Sequence, residues 1–584
     1  MKRSSRRRPP ILSGIGRAVR IFSAGLLAAT AVAAPVAAWA GTDILTSHGD
    51  GFRTGWNSTE AQLTPQSVAG NSFGLLRSLD LDDQVDAQPL VVSDQPIEGQ
   101  ESVHDVVYVA TEGNSVYAFD PSSGEQLLHV NLGPPVPRSM LPGKCLNNGD
   151  NVGIASTPVI DMAAETMYVV AYTAEAGAPV YRIHALDLRT LKDRVFPAPV
   201  IKSVVNASAI SPIRFDAGAN RQRAGLVMAN GNVYAAFASF CDLKTRASRG
   251  WVLGWQQDTL KPLLSRPLVD RKAAGSAAWF MSSIWMSGAA PAVDASGRLH
   301  VVTGNRVTGA ADPIPVPAGE REMSESVAAI SGDLRMVSEY FTPSNRDELD
   351  DADLDLGSGG IMLVPDQDGP VKHLAAAAGK DGTLYLLDRD HMGGFVPKGA
   401  DKVVGKYAIG QCFCAPSYFV GGDGMGRIVT SGGANIMVWK IMTSPWVRLE
   451  RDSISHHIAS GQFQGFMTTV SSNGTDGGVI WTVAHPPDQG TPTITLHAFD
   501  ASNATRLFSQ AAGTWPNRDG TANVVPVVAN GKVFVAGYRS LSVFGLRVPT
   551  RNLVSVQPDE PPAISVAEAP ADPKQPTEKI VRGE

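Results

Sequence analysis

The sequence predicts an all-β protein, an eight-bladed β-propeller with four-stranded antiparallel blades. Beyond Gly41 the chain is rich in glycine and in short Val/Ile/Tyr runs, and few of its patterns have a helical period. One strand–turn–strand module recurs eight times at a mean spacing of roughly 58 residues, which suits a four-stranded blade. Repetition and strand-like composition together indicate a ring of sheets.

The recurring module begins with a small residue or proline before a short apolar strand, and it ends in an Ala-Leu/Phe-Asp corner. Two copies are clearest, and their strands cover residues 88–92, 106–110 and 116–120, and 157–161, 167–170 and 184–187. Six further copies begin near Ala224, Ala290, Gly360, Ala415, Thr468 and Val525. An array of two-sheet β-sandwiches also spaces strands evenly, but eight copies of one ordered module favour the propeller.

The last copy has about three strands before Leu546. We expect a strand from Gly74 to Leu81 to complete that blade and to close the ring. Radial stacking buries both faces of each twisted sheet, and closure removes the exposed sheet edges. The predicted domains are an N-terminal extension over residues 41–73 and the propeller over residues 74–548.

Both chain ends are predicted to lie outside the propeller. Seven basic residues precede an apolar run from Ile21 to Ala34 and the small residues Ala38 and Ala40, which is the pattern of a signal peptide over residues 1–40. The apolar run is too short for a membrane span, so we expect an exported chain, periplasmic or secreted. Residues 549–584 are proline-rich and acidic, and they predict a disordered tail.

The formal charge excludes some partners. Removal of the seven positive charges of the leader changes it from −6 to about −13. A chain this acidic is not expected to bind nucleic acid or anionic lipid, and no later segment has the apolar length of a membrane helix.

The chain has four cysteines, Cys145, Cys241, Cys412 and Cys414. In an exported protein an even number favours disulfides. The two residues of the Cys-x-Cys pair are expected to be too close for an ordinary bridge, so Cys145–Cys241 is the predicted bond.

In a propeller, the residues just before each innermost strand surround one mouth of the central channel. These positions hold Asp86, Ser156, Arg223, Trp285, Met286, Ser287, Asp353, Asp355, Cys412, Cys414, Gln464 and Asn523. The mixture of carboxylates, arginine, indole and sulfur is typical of a ligand site. The alternative is that a wet channel mouth collects polar residues without binding anything.

Several segments resemble a known family. They are residues 63–65, 87–90, 114–120, 353–360 and 379–395, the last of which contains Gly-Lys-Asp-Gly-Thr-Leu-Tyr-Leu-Leu-Asp-Arg-Asp. Together they look like the bacterial and fungal exported propellers described as pyrroloquinoline-quinone-like repeat proteins. The resemblance covers roughly residues 45–546 and implies an architecture rather than a reaction.

A more distant resemblance is to the quinone-dependent alcohol dehydrogenases. It implies pyrroloquinoline quinone and Ca²⁺ at the channel mouth, with Lys380 beside the quinone carbonyl. Arg223 and Trp285, expected at the same mouth, are the other candidate residues for binding the quinone. Glu175 precedes an Arg…Ala-Leu-Asp corner and Asn305 ends a Thr-Gly-Asn turn, as metal ligands of those enzymes do; Asp355 is the third candidate ligand. Asp353 and Asp355 both match the catalytic aspartate, whose assignment stays open between them.

Departures from that family leave a second class of function open. No pair of adjacent cysteines is present, and no Cys-x-x-Cys-His motif, so no haem is expected and electrons would leave through a separate acceptor. Each matched residue also has a structural interpretation, such as a turn asparagine or a hydrated surface acid. The sequence therefore predicts either an oxidoreductase of alcohols or sugars or a non-catalytic propeller that binds a protein, glycan or polymer. A hydrolase is third, because no nucleophile elbow or zinc-spaced histidine pair is present.

Overall fold

The computed structural model describes residues 41–145, 149–205, 213–243, 248–264, 266–268, 282–306 and 323–547. The predicted signal peptide (residues 1–40) and the predicted tail (residues 549–584) lie outside these ranges. Within them, no helix has the length and hydropathy that a membrane crossing needs.

Three elements precede the repeats: the strand β1 (Trp56–Asn57), the short helix α1 (Pro65–Ala69) and the long strand β2 (Phe73–Gln84). The sequence explains where α1 begins. The Thr64 side chain accepts a hydrogen bond from the Ser67 N–H, and Pro65 occupies the first helical position, where no N–H is needed.

Blades 1 to 4 follow in chain order. Blade 1 holds β3 (Leu90–Pro96), β4 (Val103–Ala110), β5 (Ser115–Phe119) and β6 (Gln126–Asn131). A small strand pair follows, β7 (Val136–Pro137) and β8 (Asn151–Val152). Blade 2 holds β9 (Val159–Asp161), β10 (Thr166–Glu175) and β11 (Ala178–Asp187). The pair β12 (Val204–Val205) and β13 (Ile213–Arg214) precedes blade 3, which holds β14 (Asn220–Gln222), β15 (Val227–Ala229), β16 (Asn232–Ser239), β17 (Trp251–Gln256) and β18 (Arg266–Pro267). Blade 4 holds β19 (Ala292–Val293), β20 (Leu299–Val302), β21 (Val327–Ile330) and β22 (Val337–Thr342).

The helix α2 (Arg346–Ala352) leads into blades 5 to 8. Blade 5 holds β23 (Ile361–Leu363), β24 (Leu374–Ala378), β25 (Thr383–Asp388) and β27 (Gly405–Ala408). The intervening strand β26 (Gly394–Phe395) pairs with β22 of blade 4. Blade 6 holds β28 (Ser417–Val420), β29 (Gly426–Thr430), β30 (Met437–Met442) and β31 (Arg448–Ile454). Blade 7 holds β32 (Thr468–Asn473), β33 (Asp476–Ala484), β34 (Thr493–Asp500) and β35 (Arg506–Thr514), and blade 8 holds β36 (Val527–Ala529), β37 (Lys532–Ala536) and β38 (Tyr538–Leu546). Four 3₁₀ turns complete the described elements: Arg138–Met140, Pro142–Lys144, Met286–Gly288 and Leu356–Ser358.

The eight blades confirm the predicted fold, and most have four strands. Blade 2 is the variation, because its three strands are completed by an irregular extended segment. There Arg194 donates its N–H to the Ala185 carbonyl (2.7 Å), and Ile201 donates to the Tyr181 carbonyl (2.8 Å).

Blade 8 closes the ring as the sequence predicted. β2 pairs antiparallel with β38, with Phe73 opposite Leu546 and Leu79 opposite Leu541. A strand from the beginning of the chain therefore forms the outer edge of the last blade, and the eighth sheet acquires its fourth strand.

The small residue that opens each module has a steric reason. A Cβ atom added at Gly360 would lie 2.7 Å from the Cβ of Ala289 and 2.9 Å from that of Ala415, and one added at Gly225 would lie 3.0 Å from the Cβ of Ala290. The innermost strands of neighbouring blades start in contact at the hub, so larger side chains do not fit there.

The N-terminal extension occupies the hub, which the sequence did not reveal. Its backbone makes hydrogen bonds of 2.7–2.9 Å with the innermost strands of six blades. The Ile44 N–H donates to the Val91 carbonyl. In the other five the blade donates its N–H to a carbonyl of the extension: Ile160 to Leu45, Val293 to Gly51, Leu363 to Phe52, Tyr418 to Thr54, and Val470 to Gly55. The Asn57 side chain reaches blade 8 by donating to the Val528 carbonyl at 3.0 Å. Residues 44–57 thus connect seven of the eight blades.

Both pairs of cysteines form disulfides. The Cys145–Cys241 bond is confirmed. The expectation that Cys412 and Cys414 are too close to bridge is wrong: they are bonded, and their Cα atoms are 5.0 Å apart, within the range that disulfides span.

Candidate functional site

A cavity of about 280 Å³ lies at one axial mouth of the ring, where the innermost strands begin. This volume is near the lower end of the range for small-molecule sites. Its lining comes from loops of seven blades and includes Gln84, Asp86, Arg221, Arg223, Cys241, Asp242, Trp285, Ser287, Asp353, Asp355, Ser358, Lys380, Phe413, Phe463, Trp515, Asn517, Asp519, Gly520, Thr521 and Asn523.

One wall of the cavity is an ammonium held by two carboxylates. Lys380 Nζ lies 2.5 Å from Asp355 Oδ2 and 3.1 Å from Asp353 Oδ1. Asn305 joins both acids, because its backbone N–H donates to Asp355 Oδ1 (2.8 Å) and its amide donates to Asp353 Oδ1 (3.1 Å). Burial lowers the pKa of Lys380, but Asp355 and then Asp353 outweigh burial and raise that pKa above its usual value.

The two acids differ in exposure. The side chain of Asp355 is 8% exposed and that of Asp353 is 70% exposed. Asp353 ends α2 in the left-handed conformation (φ 54°), which turns the chain so that Asp355 points into the ring. Within the described residues, Asp353 Oδ2 makes no hydrogen bond, so one carboxylate oxygen at the mouth is available to a ligand.

Glycine makes this close packing possible. A Cβ on Gly304 would lie 2.8 Å from Asp355 Oδ1, and one on Gly357 would lie 2.3 Å from the Gly304 nitrogen. The Thr-Gly-Asn turn and the Asp-Leu-Gly turn therefore pack backbone against backbone, which fixes Asn305 against the two acids.

Glu325 lies behind Asp355 and is fully buried. Its Oε2 accepts the Leu356 N–H at 2.5 Å. Burial, then the charges of Asp355 and Asp350, raise the pKa of Glu325 well above its usual value. This carboxyl group supports the backbone beside Asp355 from the interior of the protein.

Asp242 faces the same cluster from blade 3. Burial, followed by the charges of Asp355 and Asp353, raises its pKa to about 6, although the Ser239 hydroxyl hydrogen-bonds to it and opposes the shift. Its protonation state therefore changes in the mildly acidic range.

The opposite wall is cationic. Arg221 and Arg223 approach the same oxygen of Asp86, at 3.6 and 3.7 Å, and Arg223 also donates to the Ala155 carbonyl at 3.1 Å. Burial lowers the pKa of Arg221 while the charges of Asp86 and Glu112 oppose that change. The Arg221 guanidinium lies 6.0 Å from the centre of the Trp285 ring, which also lines the cavity.

The structure brings together most of the predicted site residues. Asp353, Asp355, Lys380, Arg223 and Trp285 all line the cavity, and Asn305 touches both acids. Of the other predicted mouth residues, Asp86, Ser287 and Asn523 line it, whereas Ser156, Met286, Cys412, Cys414 and Gln464 do not.

Glu175 is placed elsewhere. It lies at the β10–β11 turn, is absent from the cavity lining, and its two carboxylate oxygens receive Nε (2.6 Å) and Nη2 (2.7 Å) of Arg182. These hydrogen bonds lower the pKa of Glu175. The Arg that helped to identify Glu175 as a metal ligand is therefore its ion-pair partner.

Sequence reasoning missed Arg221, Asp242, Phe413, Phe463 and Trp515. Arg221 lies two residues before the predicted Arg223, so the alternation of strand residues could have suggested it. Asp242 and Trp515 carry no comparable signal, because each belongs to a long loop outside the repeated module.

No protein-family model and no curated protein matches this sequence. Solved structures do match. The quinohemoprotein alcohol dehydrogenase from Comamonas testosteroni has 15% sequence identity and a TM-score of 0.56, over 86% of this chain and 80% of that one. The quinohemoprotein alcohol dehydrogenase ADHIIG from Pseudomonas putida has 15% identity and a TM-score of 0.55, over 90% and 83% of the two chains.

A europium-containing methanol dehydrogenase also matches, with 12% identity and a TM-score of 0.55 over 86% of this chain and 98% of that one. The chain is thus a propeller similar in structure to quinoprotein alcohol and methanol dehydrogenases. At these identities the likeness shows the fold alone.

Proposed function

We propose that the axial cavity oxidises the hydroxyl group of a small alcohol or sugar with a bound quinone as electron acceptor. The observation that carries the proposal is the convergence of Asp353, Asp355, Lys380 and Asn305 on one cavity wall. This wall offers a carboxylate oxygen that makes no hydrogen bond, beside the Lys380 ammonium. Such a carboxylate can act as the general base that removes the proton of a hydroxyl group.

Asp353 is the proposed proton acceptor. Asp353 lines the cavity and its Oδ2 has no hydrogen bond within the described residues, whereas both oxygens of Asp355 are engaged by Lys380 and by the Asn305 N–H. Asp355 then positions Lys380, and the ammonium stabilises negative charge that develops on an oxygen nearby. The alcohol becomes a carbonyl compound as its hydroxyl proton passes to Asp353.

The cations of the lining would hold a planar anionic quinone, although the lining also includes the carboxylates of Asp86, Asp242, Asp353, Asp355 and Asp519. Trp285 supplies an aromatic face, and the cations Arg221, Arg223 and Lys380 line the same space. Arg221 Nε is buried without a hydrogen-bond partner among the described residues, so an anionic ligand would find an uncompensated donor on this wall. A bound quinone would act as the two-electron acceptor and would take up the hydride that the alcohol carbon loses.

A divalent cation fits less well. Glu175 is bound to Arg182, and the described residues contain no group of three or more His, Cys, Asp or Glu that could hold a metal ion. Asp353, Asp355 and the Asn305 side chain alone fall short of the six to eight oxygens that Ca²⁺ prefers. We therefore assign no step of the reaction to a metal.

We also propose that the chain is exported and delivers electrons to a separate acceptor. The N-terminal signal-peptide pattern and the two disulfides support export to an oxidising compartment. All four cysteines are engaged in those disulfides, which leaves none for covalent haem attachment.

Oxidation can be tested with an electron-accepting dye after incubation of the purified protein with pyrroloquinoline quinone. We expect the quinone absorbance to remain with the protein after desalting, and alcohol-dependent dye reduction to follow. Asp353→Asn should lower kcat by about 10²–10⁴-fold without releasing the quinone. Failure to retain the quinone, or equal rates for Asp353→Asn and the wild type, would refute the proposal.

The second candidate is a non-catalytic propeller that binds a protein, glycan or polymer at the same mouth. The position of Glu175 favours it, because the metal-binding set of a quinone dehydrogenase is incomplete without that residue. The same desalting experiment separates the two functions, since a pure binding protein would retain no quinone.

A further inference from the structure

Two phenylalanine rings form an apolar lip on the cavity beside the ammonium wall. Phe413 and Phe463 stack with ring centres 4.5 Å apart and planes 22° from parallel. Both line the cavity, and Phe463 remains 50% exposed. Large exposed aromatic surface at the mouth of a polar cavity is characteristic of a surface that a ligand covers.

The lip is held rigidly. Phe413 is the residue between the two buried cysteines of the Cys412–Cys414 disulfide, and its N–H donates to the Gln464 carbonyl at 2.9 Å. A Cβ on Gly465 would lie 3.0 Å from the Phe413 nitrogen, so the two loops pack backbone against backbone. A surface fixed before binding loses little conformational entropy when a ligand arrives.

The lip adjoins the proposed reacting groups. Lys380 Nζ lies 5.8 Å from the centre of the Phe413 ring, and the same ammonium holds Asp353 at 3.1 Å. A ligand with its hydroxyl beside Lys380 and Asp353 would thus extend toward the phenyl carbons of Phe413. Hydroxyl groups placed there would lose hydrogen bonds to water and gain none from the two rings.

We propose that the substrate is an alcohol with an apolar body, an arylmethanol or an alkyl alcohol of similar size, and that Phe413 and Phe463 determine this specificity. The assignment rests on the proposed function. The apolar body packs on the two rings, and the terminal hydroxyl reaches Asp353 and Lys380.

The test compares benzyl alcohol with glycerol in two measurements. The first is the dissociation constant for the purified protein, taken from the change in total tryptophan fluorescence on titration; Trp285 and Trp515, two of the ten tryptophans, line the cavity. The second is kcat/KM in the dye assay. For Phe463→Ala and Phe413→Ala we expect about a 10–100-fold loss for benzyl alcohol in both measurements and little change for glycerol.

Two further variants control the experiment. Phe463→Leu keeps an apolar side chain and should retain most of the benzyl alcohol affinity. Trp446→Ala removes an aromatic ring that is 63% exposed outside the cavity; it lowers the starting fluorescence but should leave the dissociation constant and kcat/KM unchanged. Phe463 is half exposed, so its replacement does not endanger folding.

The outcomes separate this inference from the proposed function. Binding of benzyl alcohol that depends on Phe463, without turnover of any alcohol, would uphold the apolar ligand class and refute the oxidation. Turnover of glycerol in preference to benzyl alcohol, or benzyl alcohol binding unchanged in Phe413→Ala and Phe463→Ala, would overturn the inference.

Discussion

The Arg53 guanidinium in the hub donates from Nε to the Pro291 carbonyl of blade 4, 2.9 Å away. Its Nη1 donates to Thr46 Oγ1 and to the carbonyls of Ser47 and Asp50 at 2.7–2.9 Å. Arg53 is 1% exposed, and burial lowers its pKa to about 10, so it remains charged at neutral pH. One side chain thus folds the axial segment upon itself and ties it to a blade.

Replacement of Arg53 by methionine should destabilise the ring. The carbonyls of Pro291 and Ser47 and the Thr46 hydroxyl would lose this donor, whereas the Asp50 carbonyl keeps the backbone N–H of residue 53. Each buried unpaired acceptor costs about 1–3 kcal/mol. We expect the free energy of unfolding in urea to fall by roughly 4 kcal/mol. Arg335→Met, at a side chain that is 69% exposed, is the matched control and should change it by about 0.5 kcal/mol or less. Equal effects of the two changes would contradict the assigned role of the hub.

Lys380→Met should also lower stability, for an electrostatic reason. It leaves the Asp355 carboxylate, which is 8% exposed, without its cation, and loss of one partner of a buried pair costs about 3–5 kcal/mol. The double variant Lys380→Met/Asp355→Asn should recover part of that loss. The exposed pair Lys192–Glu98 provides the comparison, since Lys192→Met should cost less than about 1 kcal/mol. Additive effects of the two cavity substitutions would show that the ion pair does not couple them.

Asp242 predicts a pH dependence of stability. Its folded-state pKa, about 6, lies above the unfolded value of about 3.9, so the folded protein binds this proton more tightly. The resulting contribution to stability is fully present below pH 4 and is lost as the pH rises through 6. Asp242→Asn has no charge to bury at high pH. We therefore expect the variant to be more stable than the wild type by about 3 kcal/mol at pH 7 and equally stable near pH 4. Urea unfolding across pH 4–8 measures the difference, and a constant offset across that range would contradict the assignment.

The two disulfides should contribute unequally to stability. The Cys145–Cys241 bond joins residues separated by 96 positions, whereas Cys412 and Cys414 are separated by 2. Loop entropy alone gives about 4–5 kcal/mol for the longer loop and less than about 2 kcal/mol for the shorter one. Cys145→Ser/Cys241→Ser should therefore lower the urea midpoint much more than Cys412→Ser/Cys414→Ser. Near-equal midpoints for the two double variants would argue against this explanation.

The blade repeat was predictable because it has a steric cause that appears in the sequence. Small residues such as Gly360 and Ala415 open neighbouring blades and lie in contact beside the hub, so the spacing of such residues along the sequence indicates where blades begin. The hub segment was not predictable in the same way. It bonds to the blades mainly through backbone groups, such as the Thr54 carbonyl with the Tyr418 N–H, and backbone bonding leaves no pattern of side chains.

The candidate site was predictable in part for a related reason. Asp353, Asp355 and Lys380 lie in turns whose residues are restricted by close packing, so the motif is readable. Asp242 and Phe463 reach the cavity from loops of irregular length, and only the folded ring shows that they are neighbours. Glu175 matched a ligand motif through an arginine, Arg182, that in the structure is its ion-pair partner, and a sequence motif does not distinguish these two roles.

Because β2 completes blade 8 by pairing with β38, the first strand of the propeller meets its partner only after residue 546 has been made. During synthesis the residues before blade 1 have neither the last sheet nor most of the hub to bind. The chain must keep a long, β-prone segment from associating with other chains until synthesis is nearly complete. Truncation near the C-terminus should therefore leave the beginning of the chain, and not only its end, open to proteolysis and aggregation.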